Sequence, residues 1–380
     1  MCKTPPPNHC WRNSISVLRQ RSFCLTATAV KSGAPTASLT RMKCMNNSTV
    51  SRDPYTVIRH PTADYGLRMT NYVHIFFMDG VGMGAADTAV NPFASAHMPY
   101  LTSLFGGGWY VPNGSLSTAH ATLIPTDANL GLPGKPQSAT GQAAILTGRN
   151  VPQLIGEHYG PKPNQAVRDV MALGTLFAEV TAVGGRAALL SPYPQGYFDA
   201  IESGKRLYSS VPLAATAAGL ALMTADDLRH GRAISPDFTG QGWREYLGYA
   251  DIPVYTPYEA GQRLARLARI YHFSFFEHWP SDRAGHRGSL AEAVRHLELL
   301  DAALGGLIET WNQENDDGLL IITSDHGNIE DKGHRQHTRN PVPTILAGPG
   351  HAELAATIHD LTDIAQVVRR YLRLGDLEIR

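Results

Sequence analysis

The sequence predicts an α/β sandwich with a mostly parallel central sheet, helices on both faces and a small inserted cap. Strand-like apolar runs alternate with helix-like segments, and several of the runs are followed by Asp or His. Such alternation is typical of parallel sheets covered by helices on both faces. The chain has 380 residues, of which 43% are hydrophobic and 17% charged, so it can bury a sizeable core.

Each predicted strand is a short apolar run that ends near a glycine or a polar residue. The runs are NYVHIFFMDG at 71–80, ARIYHFSFFEHW at 268–279, GLLIITSDHG at 318–327 and PVPTILAGPG at 341–350.

The helices are predicted from apolar spacing and from glycine stops. SATGQAAILTG predicts a short helix that opens at Ser138 and stops at Gly148. Apolar residues at helical spacing predict a long helix over 289–311, and residues 175–192 are typical of a helix, a glycine stop and a strand.

Composition divides the chain into three parts. Residues 1–68 carry ten Lys or Arg, two acids and all four cysteines, for a charge of +8 against −8 for the remainder. They lack periodicity and the apolar core of a secretory signal, so we expect a disordered or non-native leader, with translation starting at Met69. An organelle transit peptide is the alternative. Residues 69–190 and 257–380 are expected to form the main domain, and 191–256, rich in Gly, Pro and Tyr, an insertion or small cap.

The overall composition excludes several classes of function. The 33 basic and 33 acidic residues give no general attraction to nucleic acid, and no apolar run approaches the length of a membrane span. The cysteine-free body has neither disulfides nor a thiolate metal site. We therefore expect a cytoplasmic protein with neither nucleic-acid nor membrane partners.

Acidic and histidine side chains follow several predicted strands. In open α/β sheets, ligands gather at the carboxyl ends of the strands. Mixed Asp and His ligands suit zinc or manganese, and two such ions can clamp both oxygens of a phosphoryl displacement. The candidate ligands are Asp79, Asp282, His286, Asp325, His326 and His337.

Ser138 opens a predicted helix. Free backbone N–H groups at a helix start favour an anion, and a serine held there by a metal would be a nucleophile. The structural alternative is an ordinary N-cap, and Thr140 is the second choice of nucleophile. Asp79 has a structural alternative as well, as the cap of a turn. The glycines that follow Asp79 do not have the GxGxxG spacing of a dinucleotide loop.

Four motifs together resemble the metalloenzyme branch of the alkaline phosphatase superfamily, which includes cofactor-independent phosphoglycerate mutase and phosphopentomutase. They appear in the order typical of that family and imply an alkaline-phosphatase-like fold. The motifs are MDGVG, PQSATGQAAILTGR, SDRAGHRG and SDHGN…HTRNPVP.

The resemblance implies a phosphatase or phosphomutase that acts on a small-molecule phosphate ester with two divalent ions, Mn or Zn. Ser138 would become phosphorylated. One ion would be held by Asp79, Ser138, Asp325 and His326, and the other by Asp282, His286 and His337.

Some features depart from the family pattern or stay open. The family's Gly-His after the nucleophile is Gly141-Gln142 here, and the arginine-carrying insertion of the mutase is replaced by a much shorter one. A non-catalytic metal-binding protein that kept the fold is the alternative function. Arg149, Lys332 and Arg335 could hold a substrate phosphate or be solvated charges. We expect His334 to be exposed or to lie behind the ligands, and His272, His278 and His296 to be core or surface residues.

Overall fold

The computed structural model describes residues 69–314 and 317–374, so the predicted leader lies outside the described residues. Seven strands form one sheet in the order β2-β3-β7-β6-β1-β5-β4. The strands are β1 (Tyr72–Met78), β2 (Leu116–Ser117), β3 (Ala121–Thr126), β4 (Ala187–Leu189), β5 (Phe273–His278), β6 (Gly318–Thr323) and β7 (Val342–Ala347).

Helices occupy most of the connections between these strands. In the described residues, no helix is both long and apolar enough to span a membrane. The helices are α1 (Pro99–Phe105), α2 (Ser138–Thr147), α3 (Val151–Ile155), α4 (Gln165–Ala172), α5 (Leu176–Ala182), α6 (Gln195–Glu202), α7 (Ser210–Ala217), α8 (Ala225–Arg229), α9 (Gln241–Leu247), α10 (Pro257–Ala268), α11 (Pro280–Arg287), α12 (Leu290–Glu314), α13 (His351–Ala355) and α14 (Leu361–Leu372).

The α/β class is confirmed, and the parallel part of the sheet is its β6-β1-β5-β4 portion. The strands β7, β3 and β2 extend the sheet by antiparallel pairing. The connection from β6 to β7 contains no helix. Parallel neighbours need a crossover connection, whereas a returning loop produces an antiparallel pair.

The sheet separates two layers of the core, as the side chains of its central strand β1 show. Alternate side chains along a strand point to opposite faces. Val73, Ile75 and Phe77 pack on one face, with residues of α2, α5, α7 and α14. Phe76 and Met78 pack on the other face, with residues of α1, α10 and α12.

Residues 191–256 contain α6 to α9. The helix α7 contributes apolar side chains to the core on the α2 side, and Ser210 Oγ at its start donates a hydrogen bond to Ala139 O at 2.9 Å. Leu228, Trp243 and Ile252 form a separate small cluster. The division of the chain into a main domain and a cap stays a prediction.

Candidate metal centre

Two acidic side chains leave neighbouring strands at the same edge and on the same face. Phe77 of β1 pairs with Thr323 of β6. Because side chains alternate, Asp79 and Asp325, two residues further along, return to the face that α2 covers. The backbone N–H of Gly80 donates to Asp325 Oδ1 at 3.4 Å. The strand pairing thus places both carboxylates beside the start of α2.

Ser138 is the first residue of α2 and faces this edge. The N-cap position belongs to Gln137, so Ser138 does not cap the helix, and its Oγ lies 3.0 Å from His326 Nε2. The hydroxyl of Thr140 donates instead to the carbonyls of Gln137 and Tyr159 at 3.1 and 3.3 Å. Of the two candidate nucleophiles, only Ser138 has its hydroxyl against a candidate ligand.

The first ligand group is Asp79, Asp325 and His326. Their ligand atoms lie within 4.8 Å of one another, and His326 Nε2 is 3.5 Å from Asp79 Oδ1 and 3.7 Å from Asp325 Oδ1. Gln142, one turn along α2 from Ser138, donates to Asp325 Oδ2 at 3.2 Å. The Gly141-Gln142 departure from the family pattern therefore places an amide behind Asp325.

The second group is centred on Asp282. Asp282 and His286 are four residues apart on α11, so they lie on one helix face rather than on a loop. Asp282 Oδ1 is 3.3 Å from His286 Nε2 and 3.8 Å from His337 Nε2. The rings of His326 and His337 stack with centroids 3.7 Å apart, so the two groups adjoin.

The hydrogen bonds of the imidazoles suit metal binding. Nδ1 of His337 donates to Pro136 O at 2.7 Å, and Nδ1 of His286 donates to Arg335 O at 2.8 Å. A neutral imidazole that donates through Nδ1 carries a lone pair on Nε2, and the Nε2 atoms of His286 and His337 lie only 3.1 Å apart. Backbone acceptors that fix the tautomer in this way are typical of metal-ligating histidines, and a cation between the two nitrogens would remove their repulsion.

The carboxylates are electrostatically costly without a cation. Burial, followed by the charges of Asp325 and Asp282, raises the pKa of Asp79 well above its ordinary value. Burial and Asp282 raise the pKa of Asp325 to about 7, while burial and His326 lower the pKa of His337 to about 4. In the described residues Asp79 Oδ1 is buried without a hydrogen-bond partner. A set of carboxylate oxygens and neutral imidazoles fits a divalent cation such as Zn or Mn.

Two of the three basic candidates for phosphate binding, Arg149 and Lys332, donate to backbone carbonyls. Arg149 follows α2 at the end opposite Ser138, and its guanidinium donates to the carbonyls of Leu173 and Gly174 at 3.3 and 3.2 Å. Lys332 Nζ donates to Ala284 O at 2.8 Å and also to Gly285 O. The hydrogen bonds of both side chains are thus made to backbone carbonyls, and within the described residues neither side chain is seen in contact with the candidate ligands.

The remaining basic and imidazole candidates lie outside the ligand groups. Arg335 is exposed and contributes its carbonyl to His286. His334 is exposed, and its Nε2 lies 3.4 Å from Asp331 Oδ2. His278 is buried against Phe76, on the face of the sheet away from the ligands, and its Nε2 lies 2.9 Å from Nε2 of the half-buried His296.

Two buried carboxylates were missed by the sequence analysis. Glu277 follows Phe273 and Phe275 at intervals of two residues along β5, so the three side chains lie on one face, which is also the face of Asp79. This spacing was a usable signal. Burial raises its pKa to about 7 against the opposing hydrogen bond from Tyr193, and Asp325 adds to the rise. Glu330 accepts from the backbone N–H groups of Gly82 and Asn328 and from Thr338 and Asn340. No spacing pattern indicated that role.

The fold and the two ligand groups define an α/β protein with a candidate two-metal centre. Residues 259–376 match the family model described as the metalloenzyme superfamily, and this segment contains every candidate ligand of the second group together with Asp325 and His326. The resemblance that the motifs predicted is confirmed.

Curated relatives match this chain over only part of their length. The chain is 37% identical over 100 residues to 2,3-bisphosphoglycerate-independent phosphoglycerate mutase from Thiobacillus denitrificans, which is 24% of this chain and 19% of that protein. The chain thus spans about a fifth of the curated relatives it matches.

Among solved structures, the PH0037 protein from Pyrococcus horikoshii is 13% identical, with a TM-score of 0.46 over 81% of this chain and 98% of that one. The alkaline phosphatase from the Antarctic bacterium TAB5 is also 13% identical, with a TM-score of 0.46 over 80% and 98% of the two chains.

Proposed function

We propose that this protein is a two-metal phosphoryl-transfer enzyme that moves the phosphoryl group of a small phosphate ester onto Ser138. The observation that carries the proposal is the position of Ser138 Oγ, 3.0 Å from His326 Nε2 at the start of α2. His326 belongs to the first ligand group, and its ligand atom also lies within 4.8 Å of those of Asp282 and His337 in the second group, so the hydroxyl is close to both groups.

The residues present fit two divalent ions. Asp79, Asp325, His326 and Ser138 would hold one, and Asp282, His286 and His337 the other. When bound, such ions lower the pKa of a coordinated hydroxyl and offset the negative charge of the phosphoryl oxygens. Gln142 orients Asp325, and the carbonyls of Pro136 and Arg335 orient the two imidazoles.

The transfer step breaks one bond and forms another. Ser138 Oγ loses its proton and attacks phosphorus in line, the bond from phosphorus to the ester oxygen breaks, and the departing alcohol takes up a proton. The phosphoserine forms at the N-terminus of α2, where N–H groups of the first turn lack intrahelical acceptors and the helix dipole favours negative charge.

The fate of the phosphoserine decides between two activities. Attack by water gives a phosphatase, whereas return to another hydroxyl of the same molecule gives a phosphomutase. The names of the curated relatives support the mutase, and the short insertion at 191–256 supports the hydrolase or a different phosphomutase. Release of inorganic phosphate or formation of an isomeric ester distinguishes them.

The test is the intact mass of the full chain, loaded with Mn or Zn and incubated with a panel of sugar phosphates and phosphoglycerates. We expect a phosphate adduct that maps to Ser138 and is lost in Ser138→Ala. Thr140→Val is the matched control, because it removes a hydroxyl from the same helix turn that does not face the ligands. An adduct or ester turnover that persists in Ser138→Ala would refute the mechanism.

A further inference from the structure

A buried asparagine contacts the central carboxylate of the second ligand group. Asn328 Nδ2 donates to Asp282 Oδ1 at 2.7 Å and to Asp282 O at 3.2 Å. Asp282 Oδ1 is also the atom that lies 3.3 Å from His286 Nε2 and 3.8 Å from His337 Nε2. The amide of Asn328 therefore fixes the oxygen around which the second group is arranged.

Asn328 is itself held by the segment that carries the imidazole ligands. It lies two residues after His326 and is fully buried, and its backbone N–H donates to Glu330 Oε2 at 2.8 Å. Glu330 also accepts a hydrogen bond from Thr338, the residue after His337. One buried carboxylate thus fixes both Asn328 and the backbone beside a ligand of the second group.

The helix α11 makes room for this amide at a glycine. A Cβ added to Gly285 would lie 2.5 Å from Asn328 Cγ, which is closer than real Cβ contacts allow. Gly285 stands between Asp282 and His286 in the sequence of α11. The amide therefore packs directly on the helix turn that carries both of these ligands.

The asparagine carries a cost that packing does not explain. In the described residues, Asn328 Oδ1 is buried without a hydrogen-bond partner. A buried carbonyl oxygen without a partner costs free energy, whereas an apolar side chain of similar shape would avoid that cost. The benefit of an asparagine side chain at this position is thus its pair of hydrogen bonds to Asp282.

We propose that Asn328 is a positioning residue for the second metal ion, because it orients Asp282 Oδ1 toward His286 and His337. The inference rests on the proposed function, in which these three ligands hold that ion. Asn328 does for the second group what Gln142 does for the first. Partners that hydrogen-bond to a ligating side chain typically contribute about tenfold to a hundredfold to metal affinity.

The test combines calorimetric titration of the full chain with Mn²⁺ and urea denaturation of the metal-free protein. Asn328→Leu keeps the branched shape of the side chain and removes its donor. We expect it to weaken one of two bound ions about tenfold to a hundredfold and to change the other by less than about threefold. The urea midpoint should stay close to that of the wild type, because removal of the unpaired oxygen offsets the lost hydrogen bonds.

A double variant identifies the weakened ion. His286→Ala lacks a ligand of the second group, so only the ion of the first group should remain tightly bound. Addition of Asn328→Leu to this variant should change the affinity for the remaining ion by less than about threefold, since both substitutions act on the same lost ion.

Asn91→Leu is the matched control. Asn91 is also buried, but its side chain donates to Ala85 O and accepts from the backbone N–H of Phe93. This variant should lower the urea midpoint, because it removes a helix cap, and should change both Mn²⁺ affinities by less than about threefold. The positioning role is overturned if Asn328→Leu weakens neither ion, weakens both equally or weakens the remaining ion of His286→Ala.

The proposed two-metal function can fail separately, in which case the wild type binds fewer than two Mn²⁺ ions. Crystal structures of the metal-free wild type and of metal-free Asn328→Leu then decide the positioning role. Movement of Asp282 Oδ1 away from His286 and His337 in the variant alone supports the role, and an unmoved carboxylate refutes it.

Discussion

The helix α2 crosses the end of β6 at a residue without a side chain. A Cβ added to Gly141 would lie 2.8 Å from Asp325 O and 2.9 Å from Asp325 Cβ, whereas ordinary contact begins at 3.4 Å. Asp325 and His326 are fully buried, so neither can move outward into solvent. Gly141→Ala must therefore displace the helix or the ligand strand by about 0.6 Å.

Two opposing effects set the cost to stability. Alanine gains about 1 kcal/mol over glycine inside a helix, and overpacking of a close-packed site costs about 1–3 kcal/mol. We expect a net loss of roughly 0–2 kcal/mol in the free energy of unfolding. The functional loss should be larger, because the displacement separates Ser138 from Asp325. Mn²⁺ affinity should fall at least about tenfold and phosphoryl transfer about a hundredfold.

The assays are urea denaturation of the metal-free protein, calorimetric titration with Mn²⁺ and the phosphate-adduct measurement. Gly196→Ala is the control, since Gly196 is also helical and an added Cβ would meet nothing within 4 Å. That variant should be unchanged or more stable by up to about 1 kcal/mol. The reasoning is refuted if Gly141→Ala binds Mn²⁺ as the wild type does and matches Gly196→Ala in stability.

Three further changes probe the same site and the core. Gln142→Leu removes the amide behind Asp325 and should weaken Mn²⁺ binding about tenfold in calorimetric titration; wild-type affinity would contradict this role. Asp79→Asn should raise the unfolding free energy of the metal-free protein by roughly 1 kcal/mol in urea, because it removes a repelled carboxylate, and should abolish stabilisation by Mn²⁺. Burial lowers the pKa of His296 to about 4, so below about pH 6.5 this group binds a proton in the unfolded chain but not in the folded one. Its contribution makes stability fall as the pH falls, by up to about 1.4 kcal/mol per pH unit. His296→Phe should flatten this slope in urea denaturation between about pH 6 and about pH 5, whereas His334→Asn should leave it unchanged.

Local pattern was sufficient for the elements that build the centre of the sheet. The run NYVHIFFMDG predicted β1, and Ser138 and Gly148 marked the two ends of α2, where Gly148 adopts the left-handed conformation with φ of 65°. These elements are defined by their own apolar content and end signals. The strand β3 is also largely buried, but the sequence analysis did not recognise it, because its sequence ATLIPT contains two threonines and a proline and no long apolar run.

The candidate ligands could be predicted because strand ends and motif order carry local information. Their supporting residues could not, since each acts through a contact between distant segments. Glu330 holds Gly82, about 250 residues away in sequence, and Gln142 reaches Asp325 across about 180. Arg149 illustrates the converse. It adjoins a motif in sequence, but the helix carries its side chain to the opposite end from Ser138, about 15 Å away for a helix of this length.

The antiparallel return of β7 is the part of the fold that completes the site. A parallel strand after β6 would begin at the opposite edge of the sheet and would take its preceding loop away from Asp325. Ile322 instead pairs with Ile345 in the antiparallel sense, so β7 begins at the edge where β6 ends. The connection between them, residues 324–341, therefore stays at that edge, where Thr338 donates a hydrogen bond to Glu330 and the ring of His337 stacks on that of His326. The departure from a fully parallel sheet is thus the feature that places a ligand of the second group beside the first.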